Sequence, residues 1–496
     1  MSSAVQGRMA TGAVWMVLFK LAERSLGLIS TLILARLLMP ADFGTVAMAM
    51  SFVLMAELLT AFSFDVAIIQ NAQATEEHYS SAWTGNLILG ALIGALMVVA
   101  AVPVADFYQH PELVAVICAL AIGPLLTGLE NIGIVAFRKE LDFRREFIFQ
   151  VSRKLISFSV VVPLAFLLRN YWALVIGTLV SKGAASALSY WMHPFRPRFT
   201  FSRLGPLFRF SRWLLVNNVV SFLKERSSDF FIGRMHGAQS LGTYNIAYEF
   251  AHLPTTELGA PINRALLPGF AKMEQTEQVQ QAYASAVGLL ALLALPAAGI
   301  LFAVAPFLVP VILGPKWMAT IPLMQALAFN GALLLFHGSI CAVLMGRGYP
   351  GRVTVTNAVS VALFLLLLGP ATALHGLPGA AFAALGTSLV CTPLYLLQLK
   401  RTLSIRPAVF ARAIARPLLA TAITVAMLHG VLPIDTGHMG AVQAAAWLFA
   451  GAAIGVVTYA ALVLGMWQLG GRRPGAEHIV VDKLSQMFGQ WSRTRA

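Results

Sequence analysis

Charge is what this chain has least of. Asp, Glu, Lys and Arg make up 11% of its 496 residues, against about 25% in soluble domains. No polar stretch is long enough to form a soluble domain, and the longest are loops and the tail 470–496. Cysteine is scarce too: Cys118, Cys341 and Cys391 lie apart inside apolar segments, which excludes a disulfide framework and a cysteine metal cluster. No Walker A phosphate loop occurs, so a nucleotide-driven pump is excluded. Nor is there a large outer loop to hold the acceptor site of a membrane glycosyltransferase. What is present is hydrophobicity, 58% of the chain at a mean hydropathy of +0.76, the composition of an all-α polytopic membrane protein. The first apolar segment has one preceding cation, Arg8, and no small-residue cleavage site, and it reads as an uncleaved span.

That first segment, Gly12 to Arg36, holds Lys20, Glu23 and Arg24 near its middle. Each charge at mid-helix costs roughly 2.5–3.5 kcal/mol on insertion scales. At 100° per residue the three share one stripe about 100° wide. Such a stripe has to face protein or water, so it predicts a polar interior.

Hydropathy predicts about fourteen spans: 12–36, 44–68, 82–105, 113–136, 148–168, 171–193, 213–233, 242–270, 281–305, 322–345, 353–374, 378–399, 414–432 and 441–469. With these boundaries about 26 of the 35 Lys and Arg fall on the N-terminal side of the membrane, including the runs 138–154, 196–212 and 400–416. The positive-inside rule then places both termini and the basic loops in the cytoplasm. The net charge of +14 is accounted for by topology and by attraction to anionic membrane lipids. Nucleic acid is not an expected partner.

A shift of 198 residues aligns Trp15 with Trp213, Ser30 with Ser228, Arg36 with Arg234, and Gly44-Thr45 with Gly242-Thr243. RLLMPADFGT (36–45) thus matches RMHGAQSLGT (234–243) without a gap. Six spans separate the copies, which keeps them in the same orientation, as in a parallel repeat about an axis normal to the membrane. The expected organisation is a six-helix lobe at 1–193, a basic cytoplasmic linker at 194–212, a second six-helix lobe at 213–400, an additional helix pair at 401–469 and a cytoplasmic tail at 470–496.

The second copy opens with its own charges, Lys224, Glu225, Arg226 and Asp229, and the next span carries Glu249 and His252. Lys182 and Glu57 complete the set of ionisable residues at depth. Ion pairs holding helices together would explain some of them. Intramembrane charge is otherwise a mark of function, and the cations Lys20, Arg24, Arg226, Lys224 and Lys182 suit an anion in a water-filled cavity. Glu23, Glu57, Glu225, Asp229, Glu249 and His252 are the polar partners, with Glu57, Asp229 or Glu249 able to couple a proton or Na⁺. GRGYPG (346–351) matches a dinucleotide fingerprint, but it follows no strand and reads as a turn. GALIG (90–94) and GAAIG (451–455) read as close helix-packing motifs. No metal, cofactor or enzymatic activity is expected.

LARLLMPADFGTVAMA (34–49), ATEEHYSSAWTGNL (74–87), RFSRWLLVNN (209–218), IGRMHGAQSLGTYNIAYEFAHLPTTELGAPINRALLPGFAKM (232–273) and ILGPKWMATIPLMQALA (312–328) resemble Wzx-type flippases. More narrowly they are similar to the colanic acid and exopolysaccharide branch of the multidrug/oligosaccharidyl-lipid/polysaccharide exporter superfamily. The resemblance implies two six-helix bundles that rock against each other. It implies a lipid-linked oligosaccharide as substrate, a polyprenyl pyrophosphate carrier moved to the periplasmic leaflet for exopolysaccharide or lipopolysaccharide synthesis. It also implies that Lys20 and Arg24 meet the pyrophosphate, that the last two helices cradle the lipid tail, and that a polysaccharide polymerase and chain-length or export machinery are partners. A multidrug antiporter of the same superfamily is the alternative, though it would want an acidic cavity. So is a non-transporting scaffold of a polysaccharide assembly complex.

Overall fold

The computed structural model describes residues 3–58, 64–71, 73–140, 142–271, 273, 275–433, 439–471, 475–478 and 481–482. Every regular element among them is helical. Ten described helices are long and apolar enough to cross a membrane, or eleven if one bent pair is counted as a span. The chain is a multi-pass membrane protein, and it divides into two compact units, Met1–Gly242 and Thr243–Ala496.

The first unit contains α1 (Ser3–Leu37), α2 (Pro40–Leu58), α3 (Phe64–Gln70), α4 (Glu76–Tyr108), α5 (Glu112–Leu120), α6 (Ile122–Gly128), α7 (Val135–Lys139), α8 (Phe143–Leu168) and α9 (Trp172–Met192). Helix α4 packs on α5 and α6, α8 on α9 and α1, and α9 also on α6. GALIG works as the sequence suggests. A Cβ on Gly94 would lie 2.7 Å from the Ala121 carbonyl oxygen, and one on Gly90 would strike that of Pro124. On α6, a Cβ at Gly128 would meet Asn86 O at 2.6 Å. The outer faces keep apolar side chains for lipid, such as Leu92 and Val99 on α4 and Leu167 on α8.

The span expected at 113–136 is broken. Its two arms, Glu112–Gly128 and Ile132–Lys139, meet at a 60° bend. Backbone polar groups freed inside a membrane need partners, and here side chains supply them. The Asn131 carbonyl side-chain oxygen accepts from Gly133 N at 2.9 Å, and Ser189 Oγ accepts from Asn131 N at 2.8 Å. Asn131 Nδ2 donates to the Phe195 carbonyl at 2.7 Å, which ties the basic linker to the bend.

A second difference concerns 234–243, read above as a connection between spans. It is helical except at Gly237, inside α10 (Leu204–Ala271). A straight helix of 68 residues would be about 100 Å long, over three times a bilayer core. Gly237 breaks it with φ 78° and ψ 179°, a backbone shape that glycine adopts without the Cβ penalty. The 198-residue offset maps Gly237 onto Met39, where α1 gives way to α2. The same offset maps Pro40 onto Ala238 and Gly44 onto Gly242. These residues meet reciprocally: a Cβ on Gly44 would strike the Ala238 carbonyl, and one on Gly242 the Pro40 carbonyl.

The second unit holds α11 (Thr276–Leu308), α12 (Thr320–Gly346), α13 (Pro350–His375), α14 (Leu377–Leu403), α15 (Pro407–Val431) and α16 (Ala441–Leu469). Helix α11 packs on α12, α15 and α16, and α14 on α12 and α13. Val304, Phe307, Leu428, Leu432 and Leu448 form the apolar cluster joining α15 and α16 to α11. Gly455 of GAAIG sits where a Cβ would lie 2.9 Å from Ile300 Cγ1. GRGYPG is a turn between α12 and α13, with Gly348 at φ 84°.

Candidate binding cavity of the first unit

The bend gives the first unit a cavity of about 600 Å³. Its floor is the bend itself, with Gly128, Glu130 and Asn131. Helix α2 contributes Glu57, α3 Asp65, α7 Arg138, α8 Glu146 and Arg153, and α9 Lys182. Among the described residues, four carboxylates and three cations therefore line one half-open space in a mostly apolar unit.

Most of them are paired. Lys182 Nζ lies 2.7 Å from Glu57 Oε1, joining α9 to α2 across 125 residues. The lysine stem runs past Gly123, where a Cβ would stand 3.2 Å from both Cδ and Nζ, so the glycine keeps that path clear. Arg138 grips Glu146 Oε1 through Nη2 at 2.8 Å and Nε at 3.1 Å. The same guanidinium reaches Asp65 at 3.8 Å, and Gln150 Nε2 donates to the Glu146 oxygen at 3.0 Å. Charge-assisted bonds of this kind are short and directional. Two groups stand apart. The Glu130 side chain makes no hydrogen bond or ion pair among the described residues, and Arg153 is the charged residue with the largest electrostatic effect on it. Arg153 Nε is buried without a hydrogen-bond partner among them.

Residues 33–322 match the family described as polysaccharide biosynthesis protein, more than half of the chain. The chain belongs to that family. It is 27% identical over 483 residues to the succinoglycan biosynthesis transport protein ExoT of Rhizobium meliloti (strain 1021), covering 94% of each. It is 26% identical over 390 residues to the lipopolysaccharide biosynthesis protein WzxC of Escherichia coli (strain K12), covering 77% of this chain and 78% of that one. Among solved structures, the lipid II flippase MurJ in its inward closed conformation aligns with a TM-score of 0.76 at 13% identity, over 91% of this chain and 99% of that one. An inward-facing multidrug resistance transporter of the MATE family aligns at 0.57 and 16%, over 82% and 96%. These two likenesses concern the fold.

In this polysaccharide biosynthesis protein the described side chains singled out from sequence fall into four groups. Lys20 pairs with Glu23 at 2.8 Å on α1, their side chains 53% and 30% exposed, and Arg24 beside them is half-buried. None of these three lines the cavity. Glu57 and Lys182 do, as a pair. Arg226 binds Asp229 Oδ2 at 3.2 Å, and Ser51 Oγ of α2 donates to the same oxygen at 3.0 Å, so the buried Asp229 anchors α2 against α10. The side chains of Lys224 and Glu225 lie outside the described residues. In the second unit Glu249 is half-buried. His252 is buried, stacked on Tyr248 at 3.9 Å with Nε2 3.1 Å from Asn330 Oδ1.

Sequence reading missed Glu130, Asp65, Arg138, Glu146 and Arg153 as cavity residues. Arg138 and Arg153 were counted only as topology signals in the cationic run 138–154, and Glu146 between them carried no reading. A signal for the bend was present in Pro124, Gly128 and Asn131 within one apolar segment.

Proposed function

We propose that this chain is a flippase that moves an oligosaccharide repeat unit on polyprenyl pyrophosphate from the cytoplasmic to the periplasmic leaflet of the inner membrane. The observation that carries it is the end-to-end similarity to a biosynthetic transport protein, 94% of each chain. The fold shared with a lipid II flippase supports it. On this reading α1, α2, α4, the bent α5–α7, α8 and α9 are the first six spans. The two arms of α10 with α11, α12, α13 and α14 are the next six, and α15 and α16 form an added pair along the lipid tail. Both termini and the linker 194–212 are cytoplasmic. The chain moves its substrate and breaks no bond in it. A polymerase and chain-length or export machinery take the product.

The physical problem is a headgroup carrying about two negative charges, which hydrocarbon does not solvate. Lys20 and Arg24 replace its water with charge-assisted hydrogen bonds. Lys20 is held toward Glu23 until the pyrophosphate competes for it. Arg226, Lys224 and Lys182 are the further cations of the path. An inside-negative potential favours outward movement of an anion by roughly 2.3 kcal/mol per charge per 100 mV.

The test is a leaflet-exchange assay on purified protein in vesicles holding a fluorescent polyprenyl-pyrophosphate glycan. Membrane-impermeant dithionite bleaches only the outer leaflet. Protein-dependent bleaching of the inner pool is expected, and bleaching equal to that of empty vesicles overturns the reading.

A further inference from the structure

We propose that Glu130 is a proton-carrying carboxyl, taking a proton from water in the cavity at one stage of the transport cycle and returning it at another. The proposal rests on the transport reading above and names its coupling group. Glu130 sits where the fourth span is broken, on a backbone held by Asn131 through Ser189 and Phe195. The other cavity carboxylates already have cations: Glu57 has Lys182, while Glu146 and Asp65 share Arg138.

Among the described residues Glu130 alone of the four has no contact pair. The charged groups facing it are Arg153 and Glu146 on α8, Arg138 on α7 and Asp65 on α3, with Glu57 of α2 and Lys182 of α9 lining the same space. Among the described lining residues four carboxylates against three cations leave one negative charge, and a single proton on Glu130 removes it. The exchange is Glu130–COO⁻ plus H⁺ giving Glu130–COOH, with no other bond changed.

A metal cation fits the site poorly. Hard cations take about six oxygen ligands, whereas three fixed positive side chains line this cavity. Among the described residues no group of His, Cys, Asp and Glu could hold a metal ion. A proton needs one carboxyl oxygen and is stabilised by the neighbouring Glu146 and Asp65. Arg153 and Arg138 oppose it.

The experiment is infrared difference spectroscopy of the whole purified protein in phosphatidylethanolamine and phosphatidylglycerol vesicles, titrated with no glycan present. A protonated-carboxyl stretch that titrates as one group is expected in the wild type. It should be absent in Glu130→Gln, and Arg153→Met should shift its midpoint to higher pH. Glu130→Asp, the conservative variant, should keep the band. The same band in Glu130→Gln overturns the assignment, as does its loss on adding Na⁺ at fixed pH, which marks a metal-ion site. In the leaflet-exchange assay, an imposed proton gradient should change the wild-type rate by up to about tenfold per pH unit, the limit for a one-proton equilibrium. Glu130→Gln should be indifferent to the gradient. A wild-type rate that ignores it overturns coupling. The titration needs no transport, so failure of the flippase reading and failure of the proton site are separately visible.

Discussion

Lys182 and Glu57 show how much one pair can fix. Their side chains are 24% and 32% exposed, so removing one partner strands the other charge in a small wet cavity at a cost of roughly 1–3 kcal/mol or more. Lys182→Met should therefore lower the unfolding temperature in detergent more than the double variant Glu57→Gln, Lys182→Met. Equal losses would mean that the pair is not coupled. The charges on α1 make a different claim. Lys20→Ala with Arg24→Ala should abolish polymer export while the protein still reaches the membrane, and full export from a well-expressed double variant would remove both from the pyrophosphate site. His193, just past the last residue of α9 at Met192 where that span ends, gives a pH prediction. Burial holds its imidazole below the ordinary value of 6.5, and its Nδ1 accepts from Phe195 N at 3.2 Å, a bond only the neutral ring can make. The unfolded chain binds that proton more readily, so this residue's stabilisation is full above about pH 6.5 and is lost as pH falls through its lowered value. Thermal unfolding followed against pH should show this loss in the wild type and less of it in His193→Gln.

At the scale of elements, the reciprocal contact of Pro40–Gly44 with Ala238–Gly242 is the tightest constraint in the first unit. Backbone carbonyls occupy the places where Cβ atoms would be, and backbone yields less readily than a side chain. Gly44→Val and Gly242→Val should each destabilise by roughly 1–3 kcal/mol or more through overpacking. Gly27 has nothing within 4 Å of its added Cβ, so Gly27→Ala should be neutral or slightly stabilising. Comparable losses at all three positions, measured by thermal unfolding, would show that the contact does not constrain the helices. The joint was legible in sequence because RLLMPADFGT and RMHGAQSLGT keep the same glycine at the same offset. Its form was not, since a break at one glycine inside a helix looks like a loop when only polarity is read. The bend at 129–131 was hidden for another reason. Its Asn131 backbone N–H is satisfied by Ser189 and the Asn131 side chain by the Phe195 carbonyl, nearly sixty residues or more away, and hydropathy averages Asn131 and Glu130 into their apolar neighbours. The cavity charges were hidden with it, because Arg138 and Glu146 turn inward only once that bend exists.

Over the whole molecule, the distribution of cations has to agree with the direction of transport. On the proposed topology, with both termini cytoplasmic, the linker bearing Arg196, Arg198 and Arg203 would lie where anionic headgroups attract it, and the short helical turn Pro315–Trp317 before α12 would lie on the opposite side. The three native cysteines lie within helices, so they can be replaced to leave a silent background. Arg196 and Met318 are exposed. Arg196→Cys should react with a membrane-impermeant maleimide only after the cells are permeabilised, whereas Met318→Cys should react in intact cells. The reverse pattern would invert the protein, and the potential would then oppose the proposed movement of the pyrophosphate by the same roughly 2.3 kcal/mol per charge per 100 mV that otherwise favours it. In that case a proton on Glu130 could no longer be an adjunct to the potential and would have to supply the driving force. The labelling result therefore decides how much of the work the carboxyl in the first unit has to do.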